Sequence, residues 1–111
     1  MNLKIKKSLF DIKNVIESID DYLGKQTDFN TFTKNKLLRR AIEREIEIIG
    51  EATKRILNVD PHFKISNSRE IIDTRNWISH GYDKVDETIL WGIITFHLPK
   101  LLQEVNHYLN K

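Results

Sequence analysis

Arg75, Asn76, His80 and Tyr82 fall within one short stretch, Arg75-Asn76-Trp77-Ile78-Ser79-His80-Gly81-Tyr82. An arginine holds phosphate oxygens through paired N–H donors and stays charged at any working pH. Histidine exchanges protons near neutrality, and a phenol both donates and accepts hydrogen bonds. Spread over about two helical turns, these groups suit cleavage of an RNA strand by its own 2′-hydroxyl. That reaction needs a proton removed, charge stabilised on phosphorus and the leaving oxygen protonated. Arg75 and His80 are the expected catalytic pair, and Asn76 would orient the phosphate or the imidazole. One histidine is poorly equipped to be base and acid together, whereas a two-fold dimer would bring two.

The bare spacing carries little weight. With six arginines and four histidines in the chain, an arginine with a histidine four to six residues later has a chance rate on the order of one half. Arg55 and His62, separated by six residues, form a second pair of the kind, but Asp60-Pro61 lies between them, so no single helix fixes their geometry. The longer string and its setting supply the specificity.

A length of 111 residues predicts one domain, 1–111, with a core that needs no staples. The lack of cysteine excludes a disulfide framework and a thiolate zinc site, and fits a cytoplasmic protein. No apolar run approaches the roughly 20 residues of a membrane span, so no membrane partner is expected. Eighteen Lys and Arg against 16 Asp and Glu leave a formal net charge of +2. So small an excess does not mark a nucleic-acid binder, and any RNA contact must be local.

The elements that must position the four residues are all helical, with no period-two alternation and no repeat. Ile5, Leu9, Ile12, Ile16, Ile19 and Leu23 recur in steps of three and four, a single apolar stripe that Gly24 stops. Residues 26–33 are polar and turn-rich, with Phe29 and Phe32 folding them back onto the core. A second helix is expected from Lys34 to Leu57. Its apolar arc of about 200° exceeds the roughly 100° one core face requires, which predicts one face for its own domain and one for a partner chain. Gly50 inside it costs about 1 kcal/mol relative to alanine, a sign of another backbone close by. Arg39/Glu43 and Glu51/Arg55 are spaced as surface pairs, and Lys34, Lys36, Arg39, Arg40 and Arg44 form the best candidate RNA track.

Asn67 and Glu70 resemble a capping box that opens a third helix, closed by Gly81. Ile71, Arg75, Ile78 and Tyr82 share a face of it, an odd choice for an exposed structural arginine, and on that face Tyr82 reads equally as a core residue. Arg75 and His80 are about 140° apart on a regular helix, so either the helix loosens before Gly81 or two chains share the site. Asp86 caps a fourth helix, with Leu90, Ile94, His97, Leu101, Val105 and Tyr108 in phase across Pro99, which should kink it or begin a fifth segment. The fold expected is an all-α, antiparallel bundle of four to five helices. His97 reads as a core residue, and Trp77 and Trp91 as packing or dimer residues rather than base-stacking ones. Glu43, Glu47 and Glu51 lie four apart, but their charged neighbours favour surface pairing over a metal site.

The chain resembles the HEPN-domain ribonucleases, specifically their HepT-like toxin branch. Nearly the whole chain takes part: Arg44 with Glu47-Ile48-Ile49-Gly50-Glu51-Ala52, Arg75-Asn76 with His80-Gly81-Tyr82, then Val85-Asp86, Trp91 and Leu98-Pro99. It departs at Phe63-Lys64-Ile65-Ser66-Asn67, where many relatives carry a Pro-Trp pair, and at Glu45, where asparagine is common. The resemblance implies a homodimer with a cleft at its interface and metal-independent RNA cleavage without a cofactor. It also implies neutralisation by a nucleotidyltransferase-type antitoxin, with Tyr82 as a site of adenylylation. Two alternatives stand beside it: a non-catalytic helical partner of a nucleotidyltransferase, and a metal-dependent nuclease or nucleotide hydrolase using Asp83, Asp86 and the glutamates of the second helix.

Overall fold

A computed structural model describes residues 1–25, 27–80 and 86–111, and the first helix, α1 (Leu3–Leu23), begins at a side-chain cap. The Asn2 oxygen accepts from the backbone N–H groups of Lys4 (2.7 Å) and Ile5 (3.3 Å). Such a cap is worth about 1 kcal/mol and offsets the lysines of this first turn, whose charge opposes the helix dipole. The larger effect is burial. Ile5, Leu9, Ile12, Ile16 and Ile19 are at most 4% exposed, each contributing roughly 1.5–3 kcal/mol. Gly24 then stops the helix at φ 66°, a left-handed conformation open to glycine without steric cost.

The remaining elements are α2 (Phe29–Lys34), α3 (Lys36–Val59), α4 (Ser68–Ser79), α5 (Glu87–Gly92), a π-helical turn (Ile93–His97) and α6 (Leu98–Leu109). Among the described residues every element is helical, as the periodicity predicts. The long α3 runs antiparallel to both neighbours. Its end meets the start of α1 through Arg55, Ser8 and Asp11, while Gly50 faces Arg75 and Glu47 faces the later Ser79 of α4. Ile42, Ile46, Ile49 and Ile56 point between these helices into a core shared with Ile71, Leu90, Leu101 and Val105. α1 and α4 of the same chain both pack against the apolar arc of α3, while Leu37 near its start is 81% exposed. No helix of the described residues is long and apolar enough to cross a membrane.

Two local expectations are corrected. The segment ahead of α3 is not merely a turn: Asp28 accepts from Thr31 N–H at 2.8 Å and starts the six-residue α2. Phe32 is fully buried there, its ring 5.3 Å from that of Trp91, with Phe29 edge-on to the same indole. No capping box opens α4. Asn67 adopts the left-handed region at φ 59° and makes no side-chain cap; the loop is held instead by α6. Ser66 donates to Glu104 from its backbone N–H (3.0 Å) and hydroxyl (2.5 Å), and Tyr108 donates to the Lys64 carbonyl at 2.8 Å. Pro99 does begin a new segment, standing in the first turn of α6 just after the π-helical turn. Proline lacks the N–H for the i−4 carbonyl and crowds it, and the helix answers by widening just ahead, where Leu98 N–H bonds to Ile93 O, five residues back. The Gly81 stop expected for α4 lies outside the described residues.

The close approach of α4 to α3 at Gly50 generates a test. A methyl group at Gly50 would lie 2.3 Å from Arg75 Cβ and 3.2 Å from the Ile71 carbonyl oxygen, whereas one at Gly92 meets nothing within 4 Å. Gly50→Ala should therefore lose about 1–3 kcal/mol in urea unfolding despite alanine's better helix propensity, and Gly92→Ala should gain up to about 1 kcal/mol.

Candidate active site

Arg75 lies with the stem of its side chain flat on Gly50, where the missing Cβ lets α4 settle onto α3. Its guanidinium emerges at the edge of that contact. Nη1 donates to Asn76 Oδ1 at 3.0 Å, and Nη2 lies 3.7 Å from Glu51 Oε1. Nε is buried and meets no acceptor among the described residues. The side chain is 26% exposed, so its stem is fixed while part of the donor fork faces solvent. That suits an arginine meant to receive an anion. Asn76, read from the sequence as orienting a phosphate or an imidazole, has its carbonyl on the arginine.

α4 stays regular through Ser79, and His80 is its C-cap, with its backbone N–H on the Asn76 carbonyl at 3.0 Å. The helix therefore does not loosen ahead of the histidine, and the 100° step per residue keeps Arg75 and His80 on different sides of it. His80 is exposed at this end. Tyr82, like Asp83 and Val85, lies outside the described residues.

The end of α4 is tied down by a residue whose role the spacing alone did not disclose. Glu47 accepts from Arg44 Nη1 at 2.7 Å and from the Ser79 hydroxyl, one residue before His80. The Ser79 hydrogen bond, and then Arg44, hold the Glu47 carboxyl below the usual glutamate range, against the opposing effect of burial. The signal was present: Glu47, Gly50 and Glu51 share the face on which α4 docks.

The three arginines of the basic run each pair with a carboxylate, and the side chains of Arg40 and Arg44 stay 66% and 61% exposed. Arg39 pairs with Glu87 across the fold at 2.7 Å, Arg40 with Glu43 at 3.3 Å, and Arg44 with Glu47. Neither expected i,i+4 pair forms, since Arg39 takes Glu87, Glu51 takes Arg75 and Arg55 takes Asp11. Glu43, Glu47 and Glu51 each face a cation, and no three acidic or histidine side chains among the described residues converge as metal ligands would. His97 is half-buried with Nε2 3.3 Å from Glu70. Trp91 packs on Phe32, whereas Trp77 is 44% exposed.

The family profile described as "Ribonuclease HepT-like" matches residues 12–108. Among similar proteins, "Putative RNase MJ1380" of Methanocaldococcus jannaschii is 38% identical over 91% of this chain and 93% of its own length. "Probable ribonuclease HepT" of Thermococcus cleftensis is 34% identical over 86% of this chain and 87% of its own. No solved structure matches the chain significantly.

The Glu47 tie has a pH signature. Folding lowers the pKa of this carboxyl, so its contribution is complete at neutral pH and is lost as pH falls through the folded value, below the ordinary glutamate range. Glu47→Gln should cost on the order of 1 kcal/mol at pH 7. In urea unfolding the gap between variant and wild type should close as the solution is acidified.

Proposed function

Because the chain belongs to the HepT-like ribonuclease family, we propose that it is a metal-independent endoribonuclease with Arg75 and His80 as its catalytic residues. The observation that carries this reading is the Arg75 side chain, clamped over Gly50 and presenting its guanidinium beside Asn76 at the edge of the α3–α4 contact. Arginine binds the scissile phosphate and meets the charge that develops on it. Histidine takes the proton from the 2′-hydroxyl as that oxygen attacks phosphorus. The bond to the 5′ oxygen breaks, that oxygen is protonated, and the products are a 2′,3′-cyclic phosphate and a 5′-hydroxyl. The engagement of Glu43, Glu47 and Glu51 with arginines favours this route over a carboxylate-held metal.

The separation of Arg75 and His80 around α4 supports a cleft completed by a second copy, which brings a second histidine to serve as acid where the first serves as base. An apolar groove of about 440 Å³ between α4 and the segment 89–97 is suited to that contact. Trp77, Ile89 and Phe96 line it and are 44%, 41% and 75% exposed. A large exposed apolar patch of this kind marks an interface.

The toxin role belongs to the same proposal, with a nucleotidyltransferase antitoxin as the partner that adenylylates Tyr82. Two residues beyond His80 in sequence, a modified Tyr82 would carry a phosphodiester to the mouth of the site, where Arg75 can pair with it in place of RNA.

RNA digestion in excess chelator tests the chemistry. Cleavage should persist and leave 2′,3′-cyclic ends, and His80→Ala and Arg75→Ala should stay folded yet lose roughly 10²-fold or more of the rate. Activity that vanishes in chelator and returns with magnesium would transfer the reaction to the carboxylates. Sedimentation should give about twice the 13.2 kDa chain mass. Tyr82→Phe should cut as wild type does and resist silencing by the nucleotidyltransferase with ATP.

A further inference from the structure

A second groove, of about 580 Å³, opens where the start of α1 crosses the end of α3. Lys4, Lys7 and Arg55 line it, together with a single carboxylate, Asp11. That carboxylate is shared: Oδ1 lies 3.2 Å from Lys7 Nζ and Oδ2 lies 3.5 Å from Arg55 Nη2. Three cations against one anion leave an excess of two positive charges here, as large as the formal net charge of the whole chain. The Lys7 and Arg55 side chains are 77% and 52% exposed. Wet ion pairs of this kind contribute little, so an incoming anion displaces Asp11 from either cation at small cost.

Lys4 also stands where helix physics disfavours it. The first turn of α1 contains no acidic residue, and positive charge at a helix start opposes the dipole. This exposed position carries the one charge sign that weakens the helix, which points to something outside the chain that uses it. The groove shares α3 with the ion partner of Arg75. Arg55 lies one turn, about 6 Å, beyond Glu51 on α3, and Glu51 is the ion partner of Arg75.

We infer that this groove is a phosphate-binding subsite that holds the backbone of a single RNA strand to one side of the scissile bond. The inference rests on the ribonuclease reading and adds where the flanking nucleotides lie. A long strand reaches both the Arg75 site and the lysines, whereas a dinucleotide reaches only the former.

The test uses the whole chain and a fluorescent 2′-O-methyl strand of about 20 nucleotides, which lacks the attacking hydroxyl and stays intact. Lys7→Gln should weaken binding about threefold to fivefold at about 0.1 M salt. It should also flatten the plot of log K against log salt by about 0.7, the single-strand value for one phosphate contact, and Lys4→Gln with Lys7→Gln should roughly double that change. Lys6→Gln alters the net charge equally but lies off the groove, and should leave the slope as it is. Lys7→Gln should keep wild-type rates on a dinucleotide and melt close to wild type, because the exposed Lys7–Asp11 pair contributes little. Equal effects from Lys6→Gln and Lys7→Gln, unchanged binding by Lys7→Gln, or no binding by wild type would each overturn the subsite. If wild type binds the methylated strand as expected yet cuts no ordinary RNA, the subsite stands and the ribonuclease reading fails. If it cuts RNA while Lys7→Gln binds as wild type does, the reverse holds.

Discussion

The contact between Gly50 and the stem of Arg75 sets the terms for the site. An arginine on the inner face of a helix would ordinarily hold that helix away from its neighbour, but here the neighbour has no Cβ and the aliphatic stem fills the space. The charged head is carried to the rim, where Asn76 and Glu51 compensate it. Rotation about α4 then follows. Trp77, two residues on and about 200° around, has to face away from α3, and this leaves an indole exposed on the opposite flank.

Charge in this fold is paired both along helices, as in Arg40–Glu43 and Arg44–Glu47, and across them. An i,i+4 pair on a helix surface offers only about 0.2–0.5 kcal/mol, so it yields readily to a partner from another helix that is less exposed to water. Arg39 and Glu87, with side chains 20% and 19% exposed, show which geometry wins. The same preference gives Glu47 to Ser79 and Glu51 to Arg75, so two of the acids that look like a metal cluster in sequence brace the arginine and the end of α4.

What was legible in the sequence was whatever a long periodic pattern or a steric exception encodes. The α1 stripe and the Gly24 stop appear as predicted, and Gly50 correctly announced a close backbone. Arg75 sits on the buried face that Ile71 and Ile78 implied. What was not legible depends on tertiary partners. α2 is too short to show a period and is held by Phe32 against Trp91. Asn67 has the residue type of a cap but turns left-handed because Glu104 and Tyr108, some forty residues away in sequence, pin its loop. The pairing of Glu47 with Ser79 joins two helices at a register that no local spacing reveals.

The π-helical turn at Ile93–His97 carries a consequence for the last third of the fold. A π turn takes up more residues than an α turn over the same length of axis, so the stretches before and after it are out of rotational step. From Glu87 to Leu109 the chain is one continuous rod with two differently aimed bearing surfaces. The first seats Trp91 against the aromatics of α2, and the second lays Leu98, Leu101 and Val105 in the core beside α1. Phe96 rides on the bulge between them and is turned outward. The torsional offset lets a single helix close two parts of the bundle that an evenly wound one would have to choose between.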